Sequence, residues 1–181
     1  TKQLVLDIKK EGLLNELTPE RISKELDKVF MMNNSSIFFK TLLELNVLDI
    51  LFPEIYRMVG AKQKEEYHAE GDVFNHVMMV IDAVDDIDTF LDVDIRDKKV
   101  LMKYVALLHD IGKIETQNEL GTHHGHDKEE LVTSLLENVN KRLKMSKDTF
   151  SLVLKTAINH HRIHNYDKMT ASKKVKMFNT L

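Results

Sequence analysis

The residues in this chain best equipped for chemistry are its histidines and one aspartate. There are nine histidines and no cysteine, and every histidine falls between His68 and His164. The centre of interest is the run Leu107-Leu108-His109-Asp110-Ile111-Gly112-Lys113. An ionisable residue that follows a stretch of apolar positions is costly to bury unless it is paired or bound to a metal. His109 and Asp110 are neighbours, so on a helix their side chains diverge by about 100°. At a helix C-terminus they can still converge on one cation beyond the end, where the negative pole of the helix favours positive charge. Gly112 is expected to turn the backbone out of the helix. Lys113 then stands a short step from whatever the ion binds. It could offset negative charge on a bound group, or be an exposed lysine after a helix stop.

Other histidines share this setting. His76 lies on a helix with Val73, Val77 and Val80 near its face, and His160 shares a face with Val153 and Ala157. His126 stands at the start of a further helix, inside His123-His124-Gly125-His126-Asp127. A single inward histidine is usually a satisfied core residue. Four separate segments that each offer an imidazole are better explained by a shared ion. Imidazole and carboxylate ligands suit Zn, Mn, Fe, Ni or Co rather than a magnesium-only site. His161, beside His160, is a candidate for binding substrate or a second ion, or for giving a proton to a leaving alkoxide. His164 lies four residues after His160 and so shares its face if the helix persists. His68 could line a pocket mouth or sit on an exposed loop, and His123 and His124 are weaker candidates as ligands.

The elements that must position these groups read as helices. Six glycines and two prolines in 181 residues leave little turn chemistry for hairpins, and apolar residues recur at helical spacing. Thr18 and Pro19 open a helix carrying Ile22, Leu26, Val29 and Phe30, and Asn34 or Ser35 caps the next, with Phe38, Leu42 and Leu45. Residues 54–71 look irregular. Asp72 caps a helix with Phe74, Val77, Ile81 and Val84, and a further helix carries Val100 to Leu108. Others are expected over residues 127–142, 146–161 and 171–181. Six aspartates between Asp85 and Asp97 lack EF-hand spacing and read as a solvated linker. We divide the chain into a histidine-free helical segment, 1–60, and a histidine-bearing domain, 61–181.

The balance of 26 basic and 29 acidic residues, net −3, implies no global attraction to nucleic acid or anionic membrane. Local basic clusters remain: Lys141, Arg142, Lys144 and Lys147, then Lys168, Lys173, Lys174 and Lys176. They could serve RNA phosphates, though such lysines are more often solvated helix faces. The lack of cysteine excludes disulfides and thiolate metal sites and suits a reducing, cytoplasmic compartment. No apolar run reaches the roughly 20 residues of a membrane span. The chain begins at Thr1 rather than Met and stops within a helical pattern, and we read it as a piece of something longer.

His76 together with His109-Asp110-Ile111-Gly112-Lys113 resembles the signature of the HD phosphohydrolase superfamily. The strings Tyr67-His68-Ala69-Glu70-Gly71-Asp72-Val73-Phe74-Asn75-His76 and His123-His124-Gly125-His126-Asp127 are similar to the HD domain of bacterial CCA-adding tRNA nucleotidyltransferases. Leu17-Thr18-Pro19-Glu20-Arg21-Ile22 and Leu51-Phe52-Pro53-Glu54 resemble their neck and body. The resemblance implies an all-α, HD-type helical bundle with metal-dependent phosphatase, 2′-nucleotidase and 2′,3′-cyclic phosphodiesterase activity. Its substrate would be tRNA or a small nucleotide phosphoester.

By the same resemblance His76, His109 and Asp110 match the metal ligands, while His126 and the His160-His161 pair sit where two-metal relatives have more. Asp110, Lys113 and His161 are the expected catalytic groups. The superfamily's distal aspartate should lie beyond Leu181, Asp167 being a poor substitute. The nucleotidyltransferase head with its magnesium site should lie before Thr1, so this chain should not add CCA. Two other readings stand beside this one: another HD enzyme acting on a small nucleotide or cyclic dinucleotide, and a metal-stabilised module that only binds RNA.

Overall fold

Apolar residues three and four positions apart place most of the chain in helices, and short turns join them in the computed structural model. It describes residues 2–64, 71–87, 95–118, 120–164 and 166–178, with backbone alone at 95–97, 163–164 and 176–178. His68, Asp88, Asp92, Asp94 and the side chain of His164 lie outside what is described. The described residues form no strand, only an isolated bridge between Lys62 and Asp72, and the architecture is all-α as expected. Among the described residues, no helix is long and apolar enough to cross a membrane.

The helices are α1 (Lys2–Lys10), α2 (Pro19–Met31), α3 (Ser36–Glu44), the short α4 (Leu48–Leu51) and α5 (Pro53–Tyr56), α6 (Val73–Ala83), α7 (Ile95–Leu108), the one-turn α8 (Lys113–Thr116), α9 (Glu129–Leu143), α10 (Lys147–His164) and α11 (Ala171–Phe178). Helix α1, which the sequence reading did not mark, fully buries none of its residues. Pro19 at the first helical position starts α2, because the Thr18 hydroxyl makes no capping bond. The expected cap at Asp72 does form. One carboxylate oxygen accepts from Asn75 N at 2.8 Å, the other from Gly60 N at 2.7 Å. A single side chain thus starts α6 and ties it to the loop before it.

Helix α7 is the central element. Helices α2, α6 and α10 pack on it, and α9 packs on both α2 and α10. The apolar core runs without a break from Leu14 to Ala157, with Phe30 and Tyr104 edge to face at 4.9 Å. Helix α2 therefore shares its core with the histidine-bearing helices.

A lysine also lies inside this packing. Lys103 of α7 is fully buried. Its ammonium meets Met32 O at 2.7 Å, Ser35 Oγ at 2.7 Å and Asp85 Oδ1 at 2.8 Å. Asp85 also pairs with Lys99 at 2.8 Å and accepts from Asn34 N at 2.8 Å. Asp85 therefore departs from the solvated-linker expectation: it is an internal acceptor joining the α2–α3 turn to α7, whereas Asp86 beside it is exposed. Burial raises the Asp85 carboxyl, but the hydrogen bonds from Lys103 and Lys99 and from Asn34 more than offset this and lower it. Removing the Lys103 ammonium leaves Asp85 with Lys99 and Asn34 N alone, and takes the buried donor from Met32 O and Ser35 Oγ. Lys103→Met should therefore lower the unfolding free energy by about 3 kcal/mol. Adding Asp85→Asn should recover part of that loss, as measured by urea denaturation of the single and double variants.

Candidate metal centre

Helix α7 ends at Leu108, and the next residues wind through a tight turn into α8. His109 N still bonds Val105 O at 2.9 Å, and Lys113 N bonds Asp110 O at 2.9 Å. Gly112 has φ −64°, so it does not leave the helix through a left-handed conformation, as its place in the sequence suggested. Its smallness serves a close approach instead. A Cβ at this position would lie 1.8 Å from the carbonyl oxygen of His126. Without a side chain at 112, the 123–126 loop can lie against the turn and deliver His126 to Asp110.

The Asp110 carboxylate is 1% exposed, and imidazoles from α6, α7, α10 and the 123–126 loop surround it. Its Oδ2 lies 3.2 Å from His109 Nε2 and 3.6 Å from His76 Nε2. Its Oδ1 lies 3.2 Å from His160 Nε2 and 3.6 Å from His126 Nε2. Two possible ligand groups follow: His76, His109 and Asp110, and His126, His160 and His161, each with its ligand atoms within 4.8 Å of one another. The His161 ring stacks on that of His160 at 4.7 Å and meets that of His126 edge-on at 4.6 Å.

The proton inventory of these rings decides what the cluster can hold. His109 Nδ1 is 2.9 Å from Ala106 O, His126 Nδ1 is 2.6 Å from His123 O, and His160 Nδ1 is 2.8 Å from Ala157 O. A carbonyl can only accept, so each of the three Nδ1 atoms carries the proton. In the neutral ring each Nε2 is then a bare lone pair. Those lone pairs face the carboxylate oxygens, and His126 and His160 face each other, Nε2 to Nε2, at 3.3 Å. Asp110 Oδ1 itself accepts no hydrogen bond. Acceptors converging on acceptors in a buried space repel unless a cation or proton lies among them. The donor set therefore fits a divalent ion, and the Nδ1–H bonds are the outer contacts that fix metal-binding histidines in the right tautomer.

The electrostatics agree. Burial lowers the His126 pKa to about 4, despite the opposing His123 carbonyl and Asp110, so the ring is neutral near pH 7. Burial and then His160 lower His161 as well. Burial alone would raise Asp110; a proton on the facing nitrogens of His109 and His160, the place a cation would take, together with the Lys113 ammonium outweighs it and holds the carboxyl well below the usual carboxylate range.

Five predicted ligands thus come together: His76, His109, Asp110, His126 and His160, with His161 alongside. Lys113 is not the exposed lysine that was its alternative. It is buried, and its ammonium bonds Asp110 Oδ2 at 2.8 Å and Gln63 Oε1 at 2.7 Å. Asp167 is exposed. His123 is in neither ligand group: it gives its Nε2–H to Lys62 O at 2.8 Å, with its ring centroid 6.3 Å from that of His126. Of the basic clusters, Arg142 is paired with Glu54 at 3.1 Å and Lys174 sits 4.3 Å over the Tyr166 ring. Lys141, Lys144, Lys147, Lys168 and Lys173 are exposed. The sequence reading missed Gln63, a lone glutamine in a loop with no pattern around it.

The model of the HD domain matches residues 73–177, more than half of the chain, and the chain belongs to that family. Residues 1–58 match a model described as a probable RNA and SrmB-binding site of polymerase A. Among curated proteins the chain is similar to multifunctional CCA proteins. That of Tolumonas auensis is 32% identical over 182 residues, spanning 100% of this chain and 42% of the relative. That of Shewanella frigidimarina is 32% identical over 98% of this chain and 41% of the relative. That of Mannheimia succiniciproducens is 31% identical over 100% and 42%. The chain spans about two fifths of the length of these relatives.

The lowered His126 pKa makes stability depend on pH in one direction. Between about 4 and 6.5 the unfolded chain binds a proton that the folded chain refuses, so stability rises with pH. This contribution is complete above 6.5 and disappears as the pH falls towards 4. The urea midpoint of EDTA-treated protein should fall across that window. His126→Gln should flatten the dependence but not abolish it, because His123 and His161 are lowered too.

Proposed function

We propose that the chain is a metal-dependent phosphohydrolase that cleaves 2′,3′-cyclic phosphodiesters and 2′-phosphates of nucleotides or RNA ends. The observation that carries this reading is the buried Asp110 carboxylate, each of whose oxygens faces a separate pair of imidazoles, three of the four rings (His109, His126 and His160) with bare Nε2 atoms. His76, His109 and Asp110 Oδ2 would hold one ion, and His126, His160 and Asp110 Oδ1 a second. A divalent ion here supplies Lewis-acid polarisation of the phosphoryl group and acidifies a water towards a pKa of about 7. Nitrogen and carboxylate donors point to Ni, Co, Mn, Fe or Zn.

The protein's own groups do the rest. Asp110 carries the negative charge that both sets of ligands share. Lys113, held between Asp110 and Gln63, offsets charge growing on the phosphoryl oxygens. His161 has a lowered pKa and stacks on His160, which favours a ligand or proton acceptor over the proton donor expected from its position. The nucleotide end comes from the family and from the match over residues 1–58. On this reading the chain belongs to a longer tRNA nucleotidyltransferase, whose separate head would use magnesium for CCA addition, and tRNA ends are the natural substrate.

The test is hydrolysis of 2′,3′-cyclic mononucleotides with added Ni, Co or Mn, alongside elemental analysis. Wild type should bind transition metal and turn over the substrate. His109→Ala should lose metal and about a hundredfold or more of the activity, since removing even an outer partner of a ligand costs about 10- to 100-fold. Stoichiometric metal without hydrolysis of any nucleotide phosphoester would leave a metal-stabilised RNA-binding module as the better reading.

A further inference from the structure

Gln63 lies in neither of the segments that match known families, which cover residues 1–58 and 73–177. It is only 7% exposed, an unusual state for a glutamine on a loop. Its Oε1 accepts from Lys113 Nζ at 2.7 Å. A lysine ammonium has donors and no acceptor, so the amide cannot be flipped: oxygen must face the lysine and nitrogen must face away. That nitrogen is buried and has no hydrogen-bond partner among the described residues. Gln63 lines a cleft of about 210 Å³ together with Lys64, Lys113, His126 and His161. Gln63 thus borders a cleft that two histidines of the cluster, His126 and His161, also line.

Two contacts hold Gln63 in place. The His123 ring donates from Nε2 to the carbonyl of Lys62 at 2.8 Å. Gly121, at φ 66°, packs so closely that a Cβ there would lie 2.7 Å from the Gln63 carbonyl carbon. The loop that carries His126 therefore also grips the strand of chain that carries Gln63.

We propose that Gln63 contacts the substrate: its amide NH2 donates to a non-bridging phosphoryl oxygen of the phosphoester in this cleft, while its Oε1 keeps the Lys113 ammonium aimed at the same group. This rests on the phosphohydrolase reading. A buried NH2 donor beside a lysine ammonium is suited to a phosphoryl oxygen, because hydrogen bonds to charged acceptors are stronger than those to neutral ones.

Gln63→Glu separates contact from mere positioning. The carboxylate still accepts from Lys113, but it replaces the NH2 with a second acceptor that repels an anion. Titrating the metal-loaded chain with inorganic phosphate should show affinity reduced by about tenfold or more, at unchanged metal content. The KM for 2′,3′-cyclic AMP should rise in step. Gln63→Met, uncharged and of similar length, guards against the new carboxylate acting on the metal, and it too must weaken phosphate binding. Wild-type phosphate affinity in either variant overturns the proposal and leaves the phosphohydrolase reading intact. A wild-type chain that takes up neither metal nor phosphate ends both.

Discussion

The structure turns on one buried negative charge. Asp110 sits at the end of the central helix with almost no contact with solvent, where an unpaired carboxylate would be costly. The surrounding elements answer that charge from different directions. Helix α6 brings His76, α7 brings His109, α10 brings His160, the 123–126 loop brings His126, and the start of α8 brings Lys113. Helix α7 in turn is set by packing against α2, α6 and α10. The apolar core thus fixes the axis on which the carboxylate is mounted, and the polar groups fix what can be done with it.

Packing and chemistry meet most tightly at two glycines. At Gly112 the turn after α7 touches the His126 carbonyl, and at Gly121 the same loop touches the backbone of Gln63. Both contacts are closer than any side chain would allow. They bring the histidine of a loop and the glutamine of another loop into one cleft, beside the lysine that pairs with Asp110. Lys103 plays a comparable part further along α7, where it gathers the α2–α3 turn and Asp85.

Much of this could be read in the sequence. Helical periodicity gave α2, α3, α6, α7, α9 and α10 within a few residues, because each buries one continuous apolar face. Histidines placed on such faces, or beside a short charged run, pointed to the cluster. What could not be read depends on partners far away along the chain. Gly112 looked like a helix stop, since its close neighbour is 14 positions further on, in His126. Lys113 looked equally suited to exposure, since Gln63 lies 50 residues earlier. Asp85 looked solvated within an acidic stretch, since its partners Lys99 and Lys103 sit on the next helix. Helix α1 escaped notice because a helix with no fully buried residue imposes only a weak apolar pattern.

The bracing of the imidazoles carries a further consequence. His109, His126 and His160 each lean on the carbonyl three residues before them, not on a carboxylate. A neutral carbonyl orients the ring but pushes less electron density into it than an anionic partner would, so the ring is a weaker base towards a bound ion. Nearly all the anionic character of this cluster is lodged in Asp110, so an ion held there would meet softer nitrogen donors than carboxylate-braced imidazoles offer. Which element such a cluster would take would then depend on supply as much as on the general order of affinities among divalent metals.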